Sequence, residues 1–112
     1  MTRVIRAVAI ATLLAGWTLP ATAQDATAAA GEKLYASSRC SLCHAVAGKG
    51  NAKHPLDGMG AKLSAADIKL WLTDPKAAEA KAGIKAKPPM KSFAALPPAD
   101  IDALVAYVLT LK

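Results

Sequence analysis

The chain has 112 residues, 54% of them hydrophobic, and a formal net charge of +6 from 14 Lys and Arg against 8 Asp and Glu. That length makes one small domain, and two cysteines are too few for a multi-disulfide scaffold or a four-cysteine zinc site. The basic charge is almost all lysine, which fits an acidic protein partner at least as well as nucleic acid, for which no motif is present.

The start reads as a targeting segment. Arg3 and Arg6 precede an apolar run from Ala7 to Leu19, interrupted only by Thr12, Gly16 and Thr18. Pro20 and the A-x-A signal Ala21-Thr22-Ala23 follow, so residues 1–23 are expected to be a cleaved secretory signal peptide. An uncleaved anchor is the alternative, but the run falls short of the about 20 apolar residues that a membrane span needs. The domain is then residues 24–112, with a net charge of +4, since the leader holds 2 basic residues and no acidic one.

Residues 24–29 read as a polar, frayed lead-in, and a helix is expected from about Ala28 to Ser37-Ser38. Gly31 and Tyr35 share a face at i, i+4. Glycine inside a helix costs about 1 kcal/mol against alanine, so Gly31 marks either a close approach by another helix or the helix start.

Cys40-Ser41-Leu42-Cys43-His44 follows. This is Cys-x-x-Cys-His, the spacing by which two thiols reach the two vinyl groups on one porphyrin edge while the next imidazole is held beneath the iron. A redox dithiol, half a zinc site or a disulfide are the other readings of Cys-x-x-Cys. The adjacent histidine, the lack of further cysteines and the lack of a βαβ pattern weigh against them.

Residues 45–61 carry Gly48, Gly50, Asn51, Pro55, Gly58 and Gly60 and are expected to form a long loop that wraps something. Ser64-Ala65-Ala66-Asp67 is a helix-start pattern, followed by Ile68, Leu70, Trp71 and Leu72. Asp74-Pro75 caps and opens a further short helix that stops near Gly83. A second loop, 84–93, carries Pro88-Pro89-Met90, in which the prolines are expected to hold the backbone extended. From Pro98, a final helix places Ile101, Leu104, Val105, Val108 and Leu111 on one stripe beside Tyr107. No run of strands and no repeat is read.

After the leader only Tyr35, Trp71, Phe93 and Tyr107 remain as aromatic residues, and 89 residues make a marginal apolar core. A large flat cofactor at the centre, ringed by these four side chains, would complete it.

Cys40-x-x-Cys43-His44, a later Met in a Pro-rich loop and a helix at each end together resemble a class I c-type cytochrome of the small bacterial periplasmic kind, over residues 28–112. The resemblance implies an all-α cytochrome c-like fold, N- and C-terminal helices crossing, and one haem c at the centre. It places Gly31, Tyr35, Leu104 and Tyr107 at the helix crossing. It assigns the Pro55 carbonyl to the second ring nitrogen of His44 and Trp71 to the haem pocket. His54, where many members have Gly, and Pro97, where a Ser, Thr or Asp cap is usual, depart from the pattern.

For the second axial position the candidates are Met59, Met90, His54 and the lysines. Met90, presented after two prolines, is the expected thioether ligand, although a methionine is also an ordinary core filler. Thioether opposite imidazole raises the potential and leaves no open site, which suits electron transfer. Lys85, Lys87 and Lys91 flank Met90, and Lys49 and Lys53 follow the motif. They form either a docking ring for acidic partners or simply a solvated surface. The expected function is a periplasmic one-electron carrier, and not an enzyme. Its partners would be other redox proteins, such as a periplasmic dehydrogenase or a membrane oxidase or reductase complex, with no nucleic acid and no membrane span after processing. The alternatives are a tightly bound cytochrome subunit of a periplasmic dehydrogenase, a ligand-binding haem with Met90 off the iron, and a dithiol oxidoreductase.

Overall fold

A computed structural model of the chain describes residue 16 and residues 23–112. The expected signal peptide, residues 1–23, lies outside the described residues but for Gly16 and Ala23.

The first helix, α1 (Ala23–Ser37), takes in the whole segment read as a frayed lead-in. Its alanines are the strongest helix formers, and Thr27 folds its hydroxyl back onto the Ala23 carbonyl (2.8 Å). Ala28 is already buried, so tertiary contact extends the helix beyond what its polar residues indicated.

A 3₁₀ turn (Cys40–Leu42) leads into three short strands: β1 (His44–Val46), β2 (Lys49–Gly50) and β3 (His54–Pro55). Their order is β2-β1-β3, with β1 antiparallel to β2 and parallel to β3. This corrects the expectation of a strand-free loop. Strands of two or three residues have no period to read, and the hairpin turn is Ala47-Gly48, both at positive φ, where Asn-Gly would have announced it.

Four helices complete the chain: α2 (Met59–Lys62), α3 (Ala65–Thr73), α4 (Pro75–Ala82) and α5 (Pro98–Leu109). Ser64 Oγ accepts from the Asp67 N–H (3.1 Å) and Asp74 Oδ1 from the Ala77 N–H (3.1 Å), and Gly83 closes α4 at φ 69°, all as read from the sequence. Pro97 leaves α5 without a side-chain cap. That helix stops at Leu109, two residues short of the end of the apolar stripe, and the Leu111 carbonyl instead accepts the Gly60 N–H (2.9 Å).

Ile68 and Leu72 of α3 meet Ile101, Leu104 and Val105 of α5 in the core, with Leu34, Tyr35, Leu63, Met90, Phe93 and Leu96 packed around them. The terminal helices touch backbone to backbone. A Cβ on Gly31 would run into the Ala103 carbonyl and come within 2.8 Å of Tyr107 Cβ. The α5 residues facing Gly31 are thus Ala103 and Tyr107, while Leu104 turns into the cluster with Ile68. Tyr35 and Tyr107 pack ring on ring at 5.6 Å. Gly60 does for α2 what Gly31 does for α1, since its Cβ would sit 2.7 Å from the Val108 carbonyl oxygen. Among the described residues no helix is long and apolar enough to cross a membrane.

Candidate functional site

Cys40, Ser41 and Leu42 wind one 3₁₀ turn, closed by the Cys43 N–H on the Cys40 carbonyl (3.1 Å). The turn starts at Arg39, whose positive φ (57°) breaks the line of α1. Both thiols are free, Cys40 half-buried and Cys43 exposed, and Leu42 between them is 67% exposed. A residue not singled out in the sequence holds this turn. The Asn51 backbone N–H donates to both the Ser41 (3.1 Å) and His44 (3.0 Å) carbonyls, and its side-chain amide donates to the Leu42 carbonyl (3.1 Å). The one signal for it is an amide side chain in a glycine-rich turn, where such groups bond the backbone locally.

His44 opens β1, and its Nδ1 lies 2.9 Å from the His54 carbonyl oxygen. A carbonyl only accepts, so Nδ1 donates here, and in the neutral ring that leaves Nε2 as the lone pair a metal-ligating histidine requires. The acceptor corrects the assignment to Pro55. Parallel pairing sets His44 opposite His54 and Ala45 opposite Pro55, so the carbonyl within reach of the imidazole is one residue earlier. Pro55 is exposed and leads into Leu56, whose N–H bonds the Ala45 carbonyl (2.9 Å). The His54 ring stands edge-on to His44 at 6.4 Å, and its Nε2 donates to the Lys87 carbonyl (3.3 Å).

Met90 lies half-buried against the core, with Phe93 beside it, in a stretch without regular structure. The chain bends at Lys87-Pro88, where the peptide bond is cis, instead of running extended through both prolines as expected. Helices α3 and α4 anchor this stretch. Glu79 Oε1 accepts the Ala86 N–H (3.0 Å), the Thr73 carbonyl the Ser92 hydroxyl (2.8 Å), and the Leu72 carbonyl the Phe93 N–H (2.7 Å). Met59, the competing thioether, begins α2, which Gly60 docks on α5. Trp71 is half-buried and lines a shallow groove with Leu63, Leu70, Ala78 and Lys81.

Burial pushes the Cys40 thiol above its ordinary pKa, against a smaller downward pull from its backbone hydrogen bond and from Lys91. A redox dithiol needs the opposite, a thiol lowered towards neutrality. Burial likewise raises Tyr35, with Cys40, Tyr107 and Asp57 adding to it, and the Tyr35 hydroxyl reaches the His44 carbonyl at 3.4 Å. Among the described residues no three of His, Cys, Asp or Glu gather as a metal cage. The donor set therefore fits haem c better than zinc: two unpaired thiols on one turn, an adjacent imidazole whose Nδ1 is engaged and whose Nε2 is left for a metal, and apolar side chains that a flat ring could cover.

No curated protein and no solved structure matched the chain. The family model described as Cytochrome c matches residues 28–112, from the middle of α1 to the last residue. With that match over most of its length, on a mostly helical fold, the chain belongs to the cytochrome c family, whose members carry covalently attached haem c and transfer electrons.

Proposed function

We propose that this chain is a periplasmic one-electron carrier in which Cys40 and Cys43 hold haem c through two thioether bonds and His44 and Met90 are the axial ligands. The observation that carries the reading is the His44 imidazole, held through Nδ1 by the His54 carbonyl and directly following two free thiols. When bound, haem supplies an iron that accepts and returns one electron. The chain does the rest. Asn51 and the 3₁₀ turn present the thiols together, and the hydrogen bond on Nδ1 orients the ring and strengthens it as a donor. The half-buried Met90, held against the core, supplies a soft sulfur that favours the reduced state. With haem bound, two protein ligands would leave the iron no place for oxygen or peroxide, so the centre would pass electrons rather than catalyse.

The signal-peptide pattern of residues 1–23 supports a periplasmic location, where thioether attachment and acidic redox partners would meet the chain. Lys49, Lys53, Lys85, Lys87 and Lys91 are all exposed, which supports a role in steering such partners. Three measurements test the reading. Denatured protein from a host that matures cytochromes should weigh one haem more than residues 24–112. Its ferric spectrum should carry the Met–Fe(III) charge-transfer band, absent in Met90→Ala. Electron-transfer rates with an acidic partner should fall as salt rises, and a salt-independent rate would remove the docking role. Co-purification with a catalytic subunit would move the assignment from free carrier to dehydrogenase subunit.

A further inference from the structure

His54 touches both arms of the site. Its backbone carbonyl accepts a hydrogen bond from His44 Nδ1, and its ring donates from Nε2 to the carbonyl of Lys87, three residues before Met90. The second bond spans 33 positions and joins β3 to the bend that presents Met90. We propose that His54 is a positioning residue that clamps the Met90 loop to the His44 strand, so that sulfur stays on the iron in both oxidation states. The proposal rests on Met90 being the ligand.

The loop's own chemistry makes such a clamp useful. Pro88 and Pro89 have no N–H, so the backbone just ahead of Met90 has two fewer donors with which to fasten itself. It offers carbonyls instead, and a carbonyl needs a donor from elsewhere in the fold. The hydrogen bonds at Ala86 and Ser92 hold the two ends of the loop on α4 and α3, and the His54 ring ties Lys87, beside Ala86, to β3 as well. A glycine at position 54 would still offer its carbonyl to His44 but could not reach Lys87. The side chain therefore adds to the methionine arm a tie that the histidine arm does not depend on. His54 is half-buried and carries no part of the core, so its replacement leaves the rest of the molecule standing.

The test uses ferric holoprotein and imidazole as the probe, which reaches the iron only when Met90 leaves. Binding is read from bleaching of the Met–Fe(III) band. One neutral hydrogen bond contributes about 0.5–1.5 kcal/mol, so His54→Ala should bind imidazole about 2- to 12-fold more tightly than wild type. His54→Gln keeps an amide N–H at similar reach and should lie within about twofold of wild type by the same measure. In the ferrous wild-type protein, NMR should show the His54 ring in contact with Lys87. Equal imidazole affinity for wild type and His54→Ala overturns the clamp, as does His54→Gln behaving like His54→Ala, or a His54 ring that NMR finds away from Lys87. A wild-type spectrum without the Met–Fe(III) band fails differently, because it removes Met90 as ligand before the clamp is tested.

Discussion

The two arms of the site are built in opposite ways. His44 sits at the head of a strand, immediately after the turn that carries both thiols, and its partners lie within ten residues in sequence. Met90 sits in a stretch without helix or strand, and its loop is fastened by Glu79, Thr73, Leu72 and His54, from 7 to 33 positions away from the residues they hold. One arm is a local motif that closes few degrees of freedom. The other is assembled from tertiary contacts and opens at lower cost. If His44 and Met90 are the ligands proposed, the histidine arm should be the lasting attachment and the methionine arm the one that yields first under stress.

The largest effect should come from cutting the arms one at a time. His44→Ala removes the proposed ligand nearest the thiols and should yield little or no six-coordinate holoprotein when the chain is matured with haem. Met90→Ala should keep the covalent haem mass and the helical circular dichroism while losing the Met–Fe(III) band and admitting exogenous ligands. If both variants lose the haem equally, the arms do not differ as described.

The frame shared by both arms comes next. Gly31→Ala drives a methyl group into the Ala103 carbonyl, which no rotamer change can relieve, so α1 and α5 must part. Overpacking costs up to about 3 kcal/mol and the gain in helix propensity returns about 1, for a net loss of about 2 kcal/mol in denaturant unfolding. Both ligands should persist in the variant that remains folded, since the crossing lies outside either arm.

A finer contrast pits Asn51→Ala against Glu79→Ala. Asn51→Ala deletes two side chain to backbone hydrogen bonds, to the Leu42 carbonyl and from the Lys53 N–H, and Glu79→Ala deletes one, each worth about 1 kcal/mol. The Asn51 variant should lower global stability, because its turn is continuous with the strands. The Glu79 variant should instead speed hydrogen exchange at Ala86 and raise imidazole affinity with little change in the unfolding midpoint. Exchange that rises throughout the molecule in Glu79→Ala would show that the methionine loop is not a separate unit.

The smallest effect is a pH dependence at the base of the methionine arm. The Lys81 ammonium, and after it Ser64, hold the Asp67 carboxyl below the usual carboxylate range, and the pair joins α3 to α4. A depressed folded-state pKa stabilises the protein at any pH above the unfolded value and ceases to do so as pH falls through the folded one. Acidification below the ordinary aspartate pKa should therefore remove this contribution, and Asp67→Asn should be missing that part of the acid response. The pair is solvent-exposed, so high salt should shrink the difference further.

Much of this was legible in the chain. Cys40, Cys43 and His44 lie within five residues, and the haem attachment proposed for them is read from that spacing. Ser64, Asp74 and Gly83 delimit α3 and α4 through bonds that reach three or four residues. Other features left no local trace. The β1–β2 turn uses Ala47 at positive φ, the acceptor for His44 depends on a one-residue register between parallel strands, and Gly60 resembles any loop glycine until α5 lies against it. Ala103 behaved similarly: a small residue beside a buried stripe becomes the contact point of two helices only once they are docked.

By itself the amino-acid order determined the Cys-x-x-Cys-His spacing and the helix limits of α3 and α4, because each is set by bonds or spacings of a few residues. Only the tertiary structure decided which carbonyl orients His44, that Ala103 receives Gly31, and that the His54 ring reaches Lys87. These are contacts between segments distant in sequence, and their register follows from how the helices and the small sheet pack, which no short window of residues encodes.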